Sequence, residues 1–479
     1  MDWLWQGLVL YPVLEWAVRI GMVPVILRRR FPPATGLAWL TMIFFLPIVG
    51  LVVYLFVGVS FLGRERARSH RRVLLARMPE REAELRPYIE RPVLLPEQEN
   101  MVTQAEQISG NPIVGGNAME LLPETPAMID RLVADIDAAE RHVHLLFYIF
   151  RPDDNGMRVI DALRRAAGRG VKCRLMADAA GSRPLFHSSV PGELTQLGVE
   201  VVPALPVQLW RRKLSRIDLR NHRKIAVIDG RLAYTGSHNI VVEDYGHSRA
   251  GKWLDLSARF TGPLVAQLQA TFLDDWVFET GVPLQSEDLF PPIQAAGNIA
   301  AQVVPTGPSH EAETFRRVLL AALNTARRKI VMTTPYLVPD EATMTALGMA
   351  VDRGAEVTIV MPARSDHPLV AAAGRYYYEP LMDMGVQLHQ YHGGLLHAKT
   401  ITVDDAFALL GSANIDIRSF YLNFEINVLL YGPAVTAELR FVQQGYLARS
   451  RQISPDAWRR RGTLTQYAES AAALASPLL

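Results

Sequence analysis

The chain has 479 residues, enough for two or three domains. Its 50 lysines and arginines nearly balance 48 aspartates and glutamates, and the net charge of +2 does not indicate a nucleic-acid partner. The single cysteine, Cys173, excludes an intramolecular disulfide and any cluster of thiolate metal ligands.

The N-terminal region is rich in apolar side chains, and two segments within it have the length of a membrane helix. Residues 36–58 carry no charge and would form a helix about 35 Å long, which predicts a transmembrane helix. Residues 4–27 contain Glu15 and Arg19, four positions apart on one helical face. A spanning helix is favoured there, and a helix lying in the membrane surface is the alternative. We therefore predict a transmembrane hairpin over residues 1–63.

Arginines flank both apolar segments and indicate an orientation. Three of them, Arg28, Arg29 and Arg30, lie between the segments. A longer series follows the second segment, at Arg64, Arg66, Arg68, Arg71, Arg72, Arg77 and Arg81. Because positive residues accumulate on the cytoplasmic side of a membrane, the longer series favours a cytoplasmic catalytic part. The topology reverses if the first segment only lies on the surface.

Beyond the apolar region the sequence repeats itself. Residues 147–179 and 334–363 both read as strand, turn, amphipathic helix, Arg-Gly and strand. Strands that alternate with helices predict parallel strand pairs covered by helices. The predicted fold class is therefore α/β, with two lobes related by a pseudo-twofold axis and preceded by the helical hairpin.

The other segments are arranged around this repeat. The predicted order is membrane hairpin, charged connector, first lobe, inter-lobe linker, second lobe and C-terminal amphipathic segment, at residues 1–63, 64–110, 111–280, 281–310, 311–450 and 451–479. The C-terminal segment either meets the membrane or docks on the lobes. Residues 207–221 have no counterpart in the second lobe and carry a series of basic side chains, Arg211, Arg212, Lys213, Arg216 and Arg220. This basic strip is either a solvated helix face or a surface for anionic headgroups.

Each lobe contains one copy of a polar motif within a predicted strand. Both copies carry a histidine, a lysine two positions later and an aspartate five further on: His222, Lys224 and Asp229, then His397, Lys399 and Asp404. Residues two apart in a strand point to the same face, so each histidine projects together with its lysine. Three further pairs of positions correspond, namely Ser237 with Ser412, Asn239 with Asn414, and Asp255 with Glu425.

This set of side chains suits the chemistry of a phosphate diester. Lysine cations and the donors of asparagine and serine stabilise the charge that moves among the phosphate oxygens during displacement. One histidine can attack phosphorus while the other protonates the departing alkoxide and later deprotonates an incoming alcohol. Asp255 and Glu425 are the candidates for holding the other nitrogen of each imidazole. Paired lysines would repel a divalent cation, so no catalytic metal is expected.

The motif H-x-K-x4-D-x6-G-S-x-N, present twice, resembles that of the phospholipase D superfamily. Within it, the similarity to bacterial cardiolipin synthases covers nearly the whole chain, through stretches such as "DLRNHRKIAVIDGRLAYTGSHN" and "GGLLHAKTITVDDAFALLGSANIDIRSFYLNFEI". The resemblance implies phosphatidyl transfer between two phosphatidylglycerol molecules, which yields cardiolipin and glycerol through a phosphatidyl-histidine intermediate. It also implies that no cofactor is needed, that His222 attacks, and that His397 donates the proton.

The expected partners are phosphatidylglycerol, cardiolipin and the anionic surface of a bacterial inner membrane, without nucleic acid. Two other classes of function stay open at this point. A hydrolase, either a phospholipase D or a nuclease, would share the first half of the reaction and use water as the acceptor. A non-catalytic membrane scaffold is disfavoured by the intact pair of motifs, and a nuclease by the apolar N-terminus. Transfer and hydrolysis differ in whether a second lipid alcohol outcompetes water.

Overall fold

The computed structural model describes residues 2–29, 31, 33–58, 84–206, 219–246, 251–284, 289–307 and 313–474. The chain divides into two compact units, Met1–Arg64 with Val207–Leu219, and Glu65–Pro206 with Arg220–Leu479. Several predicted features lie outside the described residues: Arg30, the arginine series at 64–81, residues 207–218 of the basic strip, parts of the inter-lobe linker, and residues 475–479.

The N-terminal unit consists of helices separated by prolines. They are Asp2–Arg28, Pro33–Phe45 and Pro47–Val53, followed by a single π-helical turn, Tyr54–Gly58. The prediction of one continuous helix over residues 36–58 is wrong, because the chain leaves the helical conformation at Leu46, with φ −130° and ψ 68°. Proline disfavours the α conformation in the residue before it and cannot donate a backbone hydrogen bond, so Pro47 starts a new helix.

A small core and an ion pair with a further hydrogen bond hold these helices together. Trp39 and Tyr54 meet edge to face with their ring centroids 5.2 Å apart. Glu15 and Arg19 pair at 3.1 Å, and Arg19 Nε also donates to the backbone oxygen of Phe44 at 2.9 Å. In the part of the chain that the structure describes, no helix has both the length and the apolar composition needed to cross a membrane.

The described residues of the first lobe, in the second unit, contain eight strands. They are β1 Val114–Leu122, β2 His142–Phe147, β3 Lys172–Asp178, β4 Glu200–Ala204, β5 Ile225–Ile228, β6 Leu232–Gly236, β7 Trp253–Leu254 and β8 Ser257–Thr261. The helices before and between them are Arg86–Tyr88 (3-10), Pro96–Ser109, Thr125–Asp137, Asp154–Gly168, Arg183–Phe186 and Val190–Gln196, and helix Leu264–Thr280 follows β8.

The second lobe repeats this order with additions at its end. Its strands are β9 Ile299–Thr306, β10 Lys329–Thr333, β11 Leu337–Val338, β12 Glu356–Pro362, β13 Gln387–Tyr391, β14 Leu395–Leu396, β15 Thr400–Val403, β16 Phe407–Gly411, β17 Ile415–Asp416, β18 Glu425–Tyr431 and β19 Ser450–Gln452. Its helices are Thr314–Thr325, Glu341–Asp352, Pro368–Tyr376, Tyr378–Asp383, Ile417–Tyr421, Pro433–Leu447, Pro455–Arg459 and Thr463–Leu474.

One mixed sheet runs through both lobes. Its strand order is β19-β13-β12-β10-β15-β16-β18-β9-β1-β8-β6-β5-β2-β3-β4. Read outward from the antiparallel β1–β9 contact, the two sides have the same order, and in each the outer pairs are parallel, β2–β3–β4 on one side and β10–β12–β13 on the other. The predicted α/β class with a repeated, pseudo-twofold arrangement is confirmed, and helices cover the parallel strands as expected.

The equivalent helices of the two lobes begin in the same way. Asp153 accepts a hydrogen bond from Gly156 N at 3.0 Å, and Asp340 accepts one from Thr343 N at 2.9 Å. An aspartate at this position satisfies a backbone donor that the first helical turn leaves unpaired. The repeated Pro-Asp in the sequence is therefore the start signal of the helix that follows the first parallel strand in each lobe.

Short strand pairs join the lobes beside the two motifs. β7 pairs with β14 in parallel, with Leu254 opposite Leu396, and an isolated bridge places Asn221 opposite Phe424. His397 N donates to the oxygen of Leu254 at 2.7 Å. In the same way, His222 N donates to the oxygen of Phe424 at 2.8 Å. The backbone of each motif histidine is thus held by the other lobe.

The C-terminal helix Thr463–Leu474 packs on helix Pro368–Tyr376 of the second lobe. Glu469 is buried between them and accepts from Arg375 Nε at 2.9 Å and from Arg461 NH1 at 2.5 Å. Of the two alternatives for this segment, docking on the lobes is what the structure shows through residue 474.

Candidate active site

A cavity of about 500 Å³ opens between the lobes, within the second unit. Four residues of the repeated motifs line it, namely His222, Asn239, His397 and Asn414, and so does Arg220 of the basic strip. The four motif residues come in equivalent pairs, one from each lobe, so the pseudo-twofold axis passes close to this cavity. The repeated motif therefore builds one shared site.

The two imidazoles are held by carboxylates that cross between the lobes. His222 of the first lobe lies with Nδ1 2.8 Å from Oε2 of Glu425 in the second. His397 of the second lobe lies with Nδ1 2.6 Å from Oδ1 of Asp255 in the first. A carboxylate can only accept, so Nδ1 of each ring carries the proton and donates it. The remaining nitrogen, Nε2, is then the unprotonated atom of each neutral ring.

Both motif lysines are buried against their own histidines. Lys224 Nζ donates to the backbone oxygen of His222 at 2.7 Å, and Lys399 Nζ donates to that of His397 at 2.6 Å. Each lysine is 1% exposed. Burial lowers the pKa of Lys224 to about 8 and holds the pKa of Lys399 well below its usual value, although Glu425 and Asp255 act in the opposite direction.

Burial also decides the charge of the histidines. It lowers the pKa of His222 and of His397 to about 4, outweighing the neighbouring carboxylates, and the two lysines lower it further. The carboxyl groups behave oppositely. Burial opposes their ionisation, but the imidazoles and lysines keep the pKa of Asp255 and of Glu425 below the usual range. At neutral pH the empty site thus holds two neutral rings and two carboxylates.

Asp229 and Asp404 do not reach the cavity, which corrects their assignment as catalytic residues. Asp229 accepts hydrogen bonds from the backbone N–H groups of residues 140, 141 and 142 at 2.7–2.9 Å. Asp404 accepts from those of residues 327, 328 and 329 at 2.8–3.0 Å. Both lie in turns with positive φ, 53° and 50°, a conformation that aspartate tolerates better than most residues. They anchor the far end of the motif strand in each lobe.

Comparison with known proteins agrees with this geometry. The family described as "Cardiolipin synthase, PLD-like domain" matches residues 132–276 and 319–442, so each matched segment contains one His-Lys pair. Cardiolipin synthase A of Erwinia tasmaniensis is 36% identical, over 98% of this chain and 99% of that protein. Cardiolipin synthase A of Escherichia coli O157:H7 is also 36% identical, over 97% of each. The chain belongs to the cardiolipin synthase family. The resemblance stated from the sequence is confirmed.

The fold has a solved counterpart as well. The crystal structure of a phosphatidylserine synthase from Haemophilus influenzae Rd KW20 is similar with a TM-score of 0.60, over 79% of this chain and 100% of that one. The sequence identity of 14% makes this a likeness of fold. The two-lobed architecture of this member of the cardiolipin synthase family thus has a counterpart among solved structures.

The paired serines lie behind the cavity wall in this member of the family. Ser237 Oγ accepts from Leu256 N at 2.9 Å and donates to the oxygen of the same residue at 3.3 Å. Ser412 Oγ accepts from Ile426 N at 2.9 Å and donates to Glu425. Neither serine lines the cavity. Their hydroxyl groups instead brace the strands that carry the two carboxylates.

The carboxylates differ in how firmly they are held. Glu425 accepts from Ser412, Ser419 and Asn423 in addition to His222. Among the described residues, Asp255 accepts a side-chain hydrogen bond from His397 alone. The longer carboxylate therefore lies in the denser hydrogen-bond network.

Aromatic rings beside the histidines were not found from the sequence. Tyr148 packs edge to face on His222 with centroids 4.9 Å apart, and Trp253 does the same on His397 at 4.6 Å. Tyr245 stacks on Trp253 at 4.3 Å. The sequence could have indicated Trp253 by its position, two residues before the candidate carboxylate Asp255. These rings exclude water from the imidazoles and so contribute to their lowered pKa values.

Proposed function

We propose that this chain is a cardiolipin synthase, which transfers a phosphatidyl group between two phosphatidylglycerol molecules and releases glycerol. The observation that carries the proposal is the pair of neutral imidazoles in one cavity, each held by a carboxylate of the other lobe, with a buried lysine beside each. Family membership supports the same substrate class, because the curated relatives are cardiolipin synthases.

In the first half of the reaction, His222 Nε2 attacks the phosphorus of one phosphatidylglycerol. The bond between phosphorus and the glycerol oxygen breaks, and that oxygen takes a proton from His397 Nε2. His397 must therefore be protonated when substrate is bound, although its pKa in the empty site is about 4. The phosphate diester of the substrate brings a negative charge close to His397, and this charge raises the pKa of the ring.

In the second half, the glycerol of another phosphatidylglycerol takes the place of the one released. Its terminal hydroxyl gives a proton to His397 Nε2 and attacks phosphorus, and the bond between phosphorus and His222 Nε2 breaks. Cardiolipin is formed, and both rings return to their starting states. Asp255 and Glu425 stabilise each ring whenever it carries an extra charge, through the hydrogen bond to Nδ1.

The lysines supply the charge stabilisation of the transition state. Buried cations act strongly on a nearby phosphate, because little water screens them. Lys224 and Lys399 stand two residues from the reacting rings and are nearly inaccessible to solvent. The side chain of Asn239, which lines the cavity on the first lobe, supplies an uncharged group for the phosphate oxygens.

Identifying the lipid products tests this function. Purified full-length protein is incubated with phosphatidylglycerol alone in mixed micelles, and the lipids are resolved by mass spectrometry. Cardiolipin and glycerol in equal amounts are expected. Phosphatidic acid with glycerol, and no cardiolipin, would mean that water is the acceptor and that the protein is a hydrolase.

We propose further that the N-terminal unit attaches the protein to the inner membrane as a helical hairpin, with the lobes on the cytoplasmic side. Large apolar side chains on these helices are exposed, including Leu14, Trp16, Ile20, Leu27, Leu37, Phe44, Phe45 and Leu55. Such a patch favours insertion among lipid chains. The arginine distribution in the sequence supports the orientation.

Removal of residues 1–63 tests this attachment. The truncated protein should lose stable binding to vesicles that contain phosphatidylglycerol, while it keeps cardiolipin formation in detergent micelles, because the cavity residues all lie beyond this segment. A folded truncated protein that is inactive in micelles would show that the N-terminal unit contributes to the site.

A further inference from the structure

The wall of the cavity has unsatisfied hydrogen-bonding atoms of two kinds, and the two kinds lie on different lobes. On the first lobe, the buried Nε of Arg151 and the indole Nε1 of Trp253 have no acceptor among the described residues. On the second lobe, the side-chain oxygens Oδ1 of Asn414 and Asn423 have no donor among the described residues. Buried polar atoms are nearly always paired in native proteins, so atoms left over in a cavity indicate what a ligand must bring.

The two asparagine oxygens cannot be exchanged with the amide nitrogens. Asn414 Nδ2 donates to Asp416 Oδ2 at 3.2 Å, and Asn423 Nδ2 donates to Glu425 Oε1 at 3.2 Å. Turning either amide over would set its oxygen against a carboxylate. Asn414 and Asn423 are only 5% and 8% exposed, and both line the cavity. Their oxygens are therefore fixed acceptors that wait for a donor.

The second-lobe wall is also acidic where the first is not. Asp366 and Asp416 both line the cavity. Their positions in the first lobe are taken by Ser182, whose hydroxyl bridges the backbone of Tyr148 and Phe150, and by Val241. Trp253 takes the position of Asn423 in the first lobe. The next residues, Leu254 and Phe424, each accept a backbone hydrogen bond from the motif histidine of the other lobe. Of the acceptors in the second-lobe wall, Asn414 alone has a counterpart of the same type, Asn239, whose Oδ1 already accepts from Ile149 N at 3.0 Å.

We infer that Asp366, Asn414, Asp416 and Asn423 form a subsite for the hydroxyl groups of a polyol, here the glycerol headgroup. We call this set the acceptor cluster. The inference rests on the proposed function and adds to it the residues that select the alcohol. A glycerol headgroup brings hydroxyl donors, which are what the two amide oxygens lack. Carboxylates in the same wall would repel a phosphate, so the phosphate is expected closer to the donors of the first lobe.

A polyol fits the acceptor cluster better than an ammonium group does. Asp366 already accepts from Tyr336 OH at 2.8 Å, and Asp416 accepts from Ser419 N at 2.7 Å and from Asn414 Nδ2. The unsatisfied acceptors are uncharged amide oxygens. They match a hydroxyl donor, which needs no charge partner.

One subsite is enough for both halves of the reaction. Displacement at phosphorus takes place with the attacking and departing groups in line, so the second alcohol must approach along the path by which the first glycerol left. The released glycerol and the glycerol of the acceptor lipid therefore occupy the same place in turn. Residues that recognise one necessarily recognise the other.

The test measures which alcohol takes the phosphatidyl group. Full-length protein in detergent micelles receives cardiolipin as donor, with deuterated glycerol, ethanol and ethanolamine as acceptors at equal concentration. Labelled phosphatidylglycerol, phosphatidylethanol and phosphatidylethanolamine are then counted by mass spectrometry. The ratio of any two products depends only on the second half of the reaction, so a loss of folded protein or of attack by His222 does not change it. The unmodified protein should favour glycerol.

Two variants remove acceptors from the acceptor cluster, and a third variant serves as a control. Asn423→Leu and Asp366→Ala should each lower the ratio of glycerol to ethanol by about 10-fold, the effect of one lost hydrogen bond to a buried group. Asp383→Asn changes a half-exposed carboxylate on helix Tyr378–Asp383, outside the cavity, and should leave the ratio unchanged.

Two results would overturn the subsite. One is that the ratio of phosphatidylglycerol to phosphatidylethanol is the same in both variants as in the unmodified protein. The other is ethanolamine outcompeting glycerol in the unmodified protein and losing that advantage in the variants, which would make the acceptor cluster an ammonium site. Absence of transfer to any alcohol would instead refute the proposed phosphatidyl transfer itself, and with it the subsite.

Discussion

The two lobes supply the same reacting groups and surround them differently. Each contributes one histidine and one lysine, and each gives its carboxylate to the histidine of the other. Around this common set, Glu425 has three more donors than Asp255 among the described residues, and the second-lobe wall carries Asp366 and Asp416 whereas the first-lobe wall carries Arg151 and Trp253. Duplication accounts for the paired acid and nucleophile. Because the residues around the two imidazoles have diverged, the two histidines can take different roles in the reaction.

The largest expected effect comes from removing either ring. His222→Ala and His397→Ala should each lower cardiolipin formation by about 10⁴-fold or more, since each removes a separate step. A donor with a good leaving group then separates their roles, because it needs little acid assistance. With it, His397→Ala should still accumulate a phosphatidyl-enzyme, and His222→Ala should not.

Mass spectrometry of peptides locates the adduct, and His187→Ala, a change at an exposed histidine, is the control. An adduct on His397 would reverse the assignment of attack. Near-normal turnover in either single variant would contradict the shared site.

The carboxylates should come next. Asp255→Asn and Glu425→Gln should each lower turnover by about 10² to 10⁴-fold, because the amide no longer stabilises a charged imidazole. Glu425→Gln should also lower the melting temperature more than Asp255→Asn, since Ser412, Ser419 and Asn423 all donate to Glu425. Calorimetry alongside kinetics checks both parts. Equal melting temperatures would show that the denser network does not add stability.

The pH dependence of activity that arises from the two lysines should be a smaller effect. The pKa of Lys224 is about 8, so kcat/KM with a short-chain substrate should fall as the pH rises through that value and the cation is lost. On the acid side the fall should begin near pH 4, because His222 becomes protonated there and cannot attack.

Lys224→Arg and Lys399→Arg, whose side chains stay protonated, sharpen the comparison between the lobes. If one lysine causes the fall in kcat/KM at high pH, its replacement by arginine should move that fall to higher pH. An alkaline fall that neither variant moves would exclude both lysines as its cause.

The smallest effect on activity is expected at the two aspartates of the motifs. Asp229→Ala and Asp404→Ala should each lower the free energy of unfolding by about 2–4 kcal/mol, because each leaves three backbone donors without their acceptor. Turnover per folded molecule should change little. Urea titration and active-site counting measure the two quantities, with Asp→Asn at each position as the milder change. A loss of turnover without a loss of stability would return these residues to the reaction.

Much of this molecule follows from its repeats. The alternation of strand and helix, the Pro-Asp helix starts at Asp153 and Asp340, and the two His-Lys pairs are local patterns, and local patterns depend on residues that are near in sequence. The correspondence of Asp255 with Glu425 also follows from counting along the two copies. The break before Pro47 was readable too, since a proline within a predicted helix disfavours the helical conformation of the residue before it.

Other features depend on the tertiary structure. A sequence that contains two copies of a motif does not state whether each histidine meets the carboxylate of its own copy or that of the other, because both arrangements have the same spacing. The exchange seen for His222 with Glu425 and His397 with Asp255 arises from the short strand pairs between the lobes.

The place of the motif aspartates is likewise a matter of three dimensions. Asp229 and Asp404 belong to the same pattern as the histidines, but a strand rises about 3.3 Å per residue, which puts them on the order of 20 Å away. The acceptor cluster shows the same limit, since Asp366 and Asn423 are distant in sequence from each other and from the motif histidine of their own lobe. Sequence determined which groups are present in each lobe, and packing between the lobes decided which of them meet, because contacts between distant residues are set by the register of the sheet and by the closure of its two halves.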